Sequence, residues 1–163
     1  MFDTVYLEDD SRARIGGPLW VFAFGLGFSL VEMAIGAFTI LNLLASDAWP
    51  RLTTPGTDVY HSLWGPAIGW ELLMILVLVP YALALLVFLI QRRRLFPRLS
   101  IMWSILGLTF AVVDQALISR IPEAVAQGAY ATVTLRMALF AACSVIWAPY
   151  VLFSQRAKRT FVC

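Results

Sequence analysis

Apolar residues in this chain come in runs too long for a soluble core, over 17–45, 66–91, 99–118 and 132–154. Each run reaches or exceeds the roughly 20 residues that cross a bilayer's hydrocarbon as helix. The pattern predicts four transmembrane helices, and with them an all-α fold: an integral membrane four-helix bundle, a single transmembrane domain over 1–163. Between the first two runs, "SDAWPRLTTPGTDVYHSLWG" is polar and punctuated by Pro50, Pro55 and Gly56, which predicts a loop. Pro80 falls mid-helix in the second run, where the missing N–H predicts a kink. Pro149 near the end of the fourth run is expected to bend that helix's exit.

Composition agrees with the pattern. The chain is 61% hydrophobic with a mean hydropathy of +0.82, and its 13% charged residues fall well short of the roughly 25% of a soluble domain. Where the cations fall predicts orientation. Arg12 and Arg14 precede the first helix, Arg92, Arg93, Arg94 and Arg98 lie between the second and third, and Arg156, Lys158 and Arg159 follow the fourth. Only Arg51, Arg120 and Arg136 lie toward the other face. Cationic loops stay cytoplasmic, so both termini are expected on that side. Trp49, Tyr60, Trp64 and Trp70 are expected in an outer aromatic belt, and Trp20, Phe96, Trp147 and Tyr150 in an inner one. The start, "MFDTVYLEDDSRARIGG", is acidic before it is basic, and the apolar run after it is about twice a signal-peptide core, so no cleaved leader is expected. The polybasic "QRRRLFPR" suits anionic headgroups as well, although retention on the cytoplasmic side already accounts for it.

Two stretches resemble each other: "GLGFSLVEMA" from Gly25 and "GLTFAVVDQA" from Gly107 agree at half their positions, and Glu32 aligns with Asp114. Both helices run outward, so a duplication would be a parallel repeat of two helical hairpins about an axis along the membrane normal. The matched acid favours duplication over chance, since apolar composition does not supply one.

Four ionisable residues fall inside the spans: Glu32, Glu71, Asp114 and Arg136. At about 1.5 Å per residue, Glu32 and Asp114 lie about 22 and 24 Å above the inner ends of their helices, and Glu71 and Arg136 about 6 to 8 Å below the outer ends. All four are expected to meet in one outer-leaflet layer. Gly25, Ser29, Glu32 and Gly36 share a helix face, as do Ser100, Ser104, Gly107, Ala111 and Asp114. Small-residue stripes of this kind mark close helix approach, so both acids are expected to face protein rather than lipid. Three carboxylates share one guanidinium, and a charge at mid-bilayer costs about 2.5 to 3.5 kcal/mol on insertion scales. The layer reads either as an ion-pair network that fixes helix packing or as a pocket for a proton, a cation or a cationic substrate.

Other chemistry is thin. Cys143 and Cys163 lack CxxC spacing, and Cys163 is too late for a prenylation box. His61, the only histidine, has no Cys, Asp or Glu at metal spacing. No nucleophile elbow, phosphate loop or zinc-helix motif is present. No catalytic residue, metal, cofactor or nucleic-acid partner is therefore expected.

The chain ends "PYVLFSQRAKRTFVC", in which Tyr150, Ser154, Arg156, Lys158, Thr160 and Phe161 follow Tyr-x3-Ser-x-Arg-x-Lys-x-Thr-Phe. That pattern resembles the close of the bacterial domain-of-unknown-function 2569 family of small multi-pass membrane proteins. "IGGPLW", carrying Gly16 and Gly17, resembles the same family's Gly-Gly-Trp-Leu start to its first helix. The resemblance implies a bacterial inner-membrane protein of unassigned function, and it carries over no catalytic residue. Both motifs fall on the cytoplasmic rim, where the tail is expected to fold back across Gly16 and Gly17, which allow close backbone approach.

Two functions fit these features. One is an accessory or scaffolding subunit packing within a larger inner-membrane complex, its partners being lipid and other membrane proteins or a second copy. The other is a small proton- or cation-coupled transporter using the carboxylate layer.

Overall fold

In a computed structural model the chain is described over residues 18–154, and those residues form helices and turns with no strand. The helices are α1 (Pro18–Ala45), α2 (Ala48–Thr53), α3 (Trp64–Ile90), α4 (Phe96–Ile118), α5 (Pro122–Ala126) and α6 (Ala129–Phe153). Four of them, α1, α3, α4 and α6, are long and apolar enough to cross a membrane. They match the four apolar runs to within three residues at every end. The loop expected after the first run contains the short helix α2, and α5 similarly interrupts the connection between α4 and α6. Elements of five or six residues are too short to leave a periodic signature. α3 continues as helix through Pro80, and α6 through Pro149.

α4 is the central helix, packing against α3 on one side and α6 on the other, while α1 packs on the far side of α3. Its position follows from its stripe. Ser100, Ser104, Gly107 and Asp114 are all buried, and Phe96, Trp103 and Phe110 are buried beside them. Small and bulky residues alternate along that face, so large side chains from the neighbours fit between its own. Gly107 shows the fit most directly: a Cβ placed there would come within 2.5 Å of the Phe140 ring of α6.

Two hydrogen bonds tie α3 to α4. Trp70 Nε1–H donates to the Phe110 carbonyl at 3.2 Å, and the Tyr81 hydroxyl donates to the Leu99 carbonyl at 2.9 Å. Trp70 and Tyr81 are eleven residues apart on α3, as Phe110 and Leu99 are on α4, which is about three turns of each antiparallel helix. The tryptophan and tyrosine thus mark one face of α3 laid along α4. In hydrocarbon a polar atom has no water to turn to, so these bonds fix both the face and the register.

The turn between them is built without glycine. Arg92 adopts φ 54°, the Arg93 N–H bonds to Phe88 O and the Arg92 N–H to Leu89 O, both at 3.1 Å. This closes α3 as a Schellman motif with arginine where glycine is usual.

α1 and α6 come close at few points, so the helices are ordered α1–α3–α4–α6 with a seam where the ends of that series meet. At the end that carries the α3–α4 turn the seam is filled by aromatic rings. Phe22 stacks on Trp147 at 4.3 Å and meets Phe96 edge-on at 5.5 Å, while Tyr150 tilts against Trp147 at 5.2 Å. Phe96 and Trp147, expected in an interfacial belt, instead join α4 and α6 to α1. The opposite end is capped by a separate cluster of Ala67, Ile118, Ile121 and Ala124.

Replacing Gly107 with alanine is expected to destabilise the fold by about 1 to 3 kcal/mol through overpacking against Phe140. Thermal unfolding in detergent should record that loss, and Phe140→Leu in the same chain should recover much of it.

Candidate functional site

The halves of all four long helices remote from the α3–α4 turn contribute to one polar layer. On α6, Arg136 Nη2 lies 3.3 Å from Glu32 Oε2 of α1. On α3, Glu71 lies within electrostatic range of both Asp114 and Arg136, and Asp114 on α4 within range of Arg136. The Trp70 bond to Phe110 brings this about, because it sets the turn bearing Glu71 beside the turn that ends in Asp114. Glu32, Glu71, Asp114 and Arg136 are brought together in one layer, and Glu32 alone of the three acids makes an ion pair with Arg136 among the described residues.

Two further members were not anticipated. Gln115 Nε2 donates to Thr134 Oγ1 at 2.8 Å, joining α4 to α6 beside the charges, and the Thr134 hydroxyl donates in turn to the Tyr130 carbonyl at 2.8 Å. Their signal was available, since Gln115 follows Asp114 and Thr134 lies two residues before Arg136. Asp114 Oδ1 and Gln115 Oε1 are buried without a hydrogen-bond donor among the described residues.

Burial divides the layer unevenly. Asp114 is only 7% exposed, whereas the side chains of Glu32 and Arg136 are 39% and 66% exposed. Asp114 thus faces protein, as expected of both stripe acids, whereas Glu32 faces Arg136 of α6 with its side chain only partly covered. Gly25, Ser29 and Gly36, expected in helix packing, are not closely packed inside this chain: a Cβ at Gly25 or Gly36 meets nothing within 4 Å, and the Ser29 hydroxyl bonds back to the Gly25 carbonyl at 3.0 Å. The reason lies in how α1 is held. Its buried positions Leu19, Leu26 and Ile40 recur at multiples of seven, a narrow buried seam on a helix whose main neighbour is α3, and the small residues fall to one side of it. Ser104 and Gly107, on the corresponding stripe of α4, do pack. The two stretches that resemble each other in sequence thus occupy different surroundings.

The remaining residues singled out in the sequence are quickly placed. His61 accepts the Leu63 N–H on Nδ1 at 3.2 Å, just before α3. Among the described residues no group of His, Cys, Asp or Glu is placed to hold a metal ion. Cys143 is free and exposed on α6. At the end that carries the α3–α4 turn, Tyr150 belongs to the aromatic layer, with its hydroxyl buried and without a partner among the described residues, and Ser154 ends α6 through its N–H to the Tyr150 carbonyl at 3.0 Å. Gly16, Gly17, Arg156, Lys158, Thr160 and Phe161, with the contact expected between them, lie outside the described residues. Within those residues, α1 and α6 are joined at this end by Phe22, Trp147 and Tyr150.

Residues 12–162 match the family model described as "Protein of unknown function (DUF2569)". The chain belongs to that family. Neither the curated proteins nor the solved structures include a match. Membership covers both the tail motif and the charged layer, and the family's description assigns neither a role.

Within the layer, Arg136 is expected to matter more than any one acid. Arg136→Gln leaves three carboxylates without a cation, whereas Glu32→Gln leaves the cation with two. A double-mutant cycle on Glu32→Gln and Arg136→Gln, followed by unfolding in detergent, should give a coupling energy of about 1 to 2 kcal/mol, with Arg136→Gln the more destabilising single change.

Proposed function

We propose that this protein is an accessory or scaffolding subunit of a larger membrane assembly, and that it docks through the face of α1 bearing Gly25, Ser29, Glu32 and Gly36. The observation that carries this reading is the outward exposure of the Glu32–Arg136 pair. A guanidinium left facing hydrocarbon is costly, and intramembrane charges ordinarily face protein or a water-filled cavity. Arg136 has five N–H donors and one ion-pair partner among the described residues. The occupant that suits it is a transmembrane helix of another protein, carrying a carboxylate, hydroxyl or carbonyl acceptor at outer-leaflet depth. The open faces of Gly25 and Gly36 allow that helix's backbone to come close.

The membrane we propose is the bacterial inner membrane, with both termini cytoplasmic. The support is the arginine-rich turn between α3 and α4, set against the sparse cations of the opposite face, together with the family's tail motif.

A second reading has its own support. Asp114 is buried beside Glu71 with one oxygen unpartnered, an arrangement suited to taking up a proton or small cation during transport.

Extraction in mild detergent from the native membrane, followed by mass spectrometry, separates the two. The subunit reading expects larger membrane proteins at constant stoichiometry with the wild-type chain. It also expects that Gly25→Leu with Gly36→Leu leaves the chain folded and reduces its partners by about tenfold or more, the effect of losing 1.4 kcal/mol or more of binding. A chain that emerges alone, and whose Asp114→Asn form loses a transport activity while staying folded, would favour transport instead.

A further inference from the structure

The α3–α4 hairpin carries two concave sites that neither reading above uses. At its turn, Gln91, Arg93, Arg94 and Leu95 line an open cavity of about 590 Å³. Higher on the hairpin, Tyr81, Met102, Ile105, Leu106 and Thr109 line a groove of about 350 Å³. One stripe of α4 connects them. Leu95, Arg98, Met102, Ile105 and Thr109 follow at spacings of three, four, three and four, and all five are exposed.

The two ends of that stripe differ in chemistry. Arg93 and Arg98 are exposed and in no ion pair among the described residues, and the Arg93 guanidinium is positioned over the Phe88 ring at 5.6 Å. The described carboxylates, Glu32, Asp47, Asp58, Glu71, Asp114 and Glu123, lie in the opposite halves of the spans or in the loops beyond them. The groove, by contrast, offers no free hydroxyl donor. The Tyr81 hydroxyl is given to Leu99 O and the Thr109 hydroxyl to Ile105 O. From Arg98 to Thr109 the helix rises about 16 Å, close to half of a hydrocarbon core roughly 30 Å thick. Cations at the membrane surface next to a dry groove one leaflet deep match a phosphate headgroup joined to an acyl chain.

We propose that the α3–α4 hairpin binds one anionic phospholipid, its headgroup held by Arg93 and Arg98 and one acyl chain laid along Met102, Ile105 and Thr109 against Tyr81. Arg92 in its left-handed conformation supports the site, since it reverses the chain within the turn that carries Arg93 and leads into the α4 turn that carries Arg98. This inference is independent of what covers α1.

The test uses the whole purified chain, stripped of lipid in detergent and titrated with phosphatidylglycerol or phosphatidylcholine of identical chains in native mass spectrometry. The site predicts a preference for phosphatidylglycerol of about thirtyfold, as expected for two arginines at a membrane surface. Arg93→Gln with Arg98→Gln, or Arg98→Gln alone should the pair fail to fold, should reduce that preference toward parity. Ile105→Trp, which fills the groove, should weaken both lipids alike, and Arg51→Gln in the opposite loop should change neither. Equal retention of the two lipids by the wild-type chain would overturn the proposal. So would a preference that survives the arginine changes, or dihexanoyl phosphatidylglycerol binding as tightly as the long-chain lipid, which would mark an anion site without a chain groove.

Discussion

An arginine side chain keeps its positive charge under any condition a protein meets, so a helix that carries one into hydrocarbon must bring something to answer it. Arg136 imposes this requirement on the bundle. α1 supplies Glu32 at ion-pair distance, while α3 and α4 supply Glu71 and Asp114 within electrostatic range. The polar groups around them follow the same rule. Gln115 reaches Thr134 across α4 and α6, and Trp70 gives its N–H to a carbonyl of α4 one turn before Asp114. At the end that carries the α3–α4 turn, aromatic rings fill the seam between α1 and α6, and toward the opposite end a charge pair spans it.

Much of this was legible in the sequence, because the bilayer sets a harsh filter on composition. Runs of about 20 apolar residues have few alternatives to spanning helices, and the four spans appear where the runs predicted them. Helix rise placed the four charges at one depth. Which helix occupies the middle was not legible. Gly25–Ala34 and Gly107–Ala116 are similar at half their positions, yet Gly107 is pressed on Phe140 while Gly25 meets nothing. The difference lies in neighbours distant in sequence: Trp70 and Tyr81 of α3 bond to carbonyls of α4, and no such bond ties α3 to α1 among the described residues. A small-residue stripe says that a helix can be approached closely, and it does not say by which helix. The polar bridge of Gln115 and Thr134 was missed for a related reason, since neutral side chains at helix spacing look like ordinary tolerated polarity until another helix faces them.

The asymmetry between α1 and α4 organises the surface as well. The α3–α4 hairpin turns to the bilayer a stripe that is cationic at the rim and dry above it. α1 turns outward an aromatic and aliphatic face, with Phe24, Phe28, Ile35 and Phe38 all well exposed, next to open glycines and a half-exposed ion pair. Lipid suits the first of these surfaces throughout. It suits the second only where the face is apolar, because hydrocarbon offers a guanidinium no acceptor.

The central claim is that protein, rather than lipid, covers Gly25 and the Glu32–Arg136 pair in the native membrane. The most direct measurement places a photoreactive side chain at Gly25 and, as a control on the stripe assigned to lipid, at Ile105, then irradiates intact membranes. The account predicts a discrete higher-mass protein adduct from position 25 and lipid adducts alone from position 105. Lipid adducts alone from both positions would contradict it.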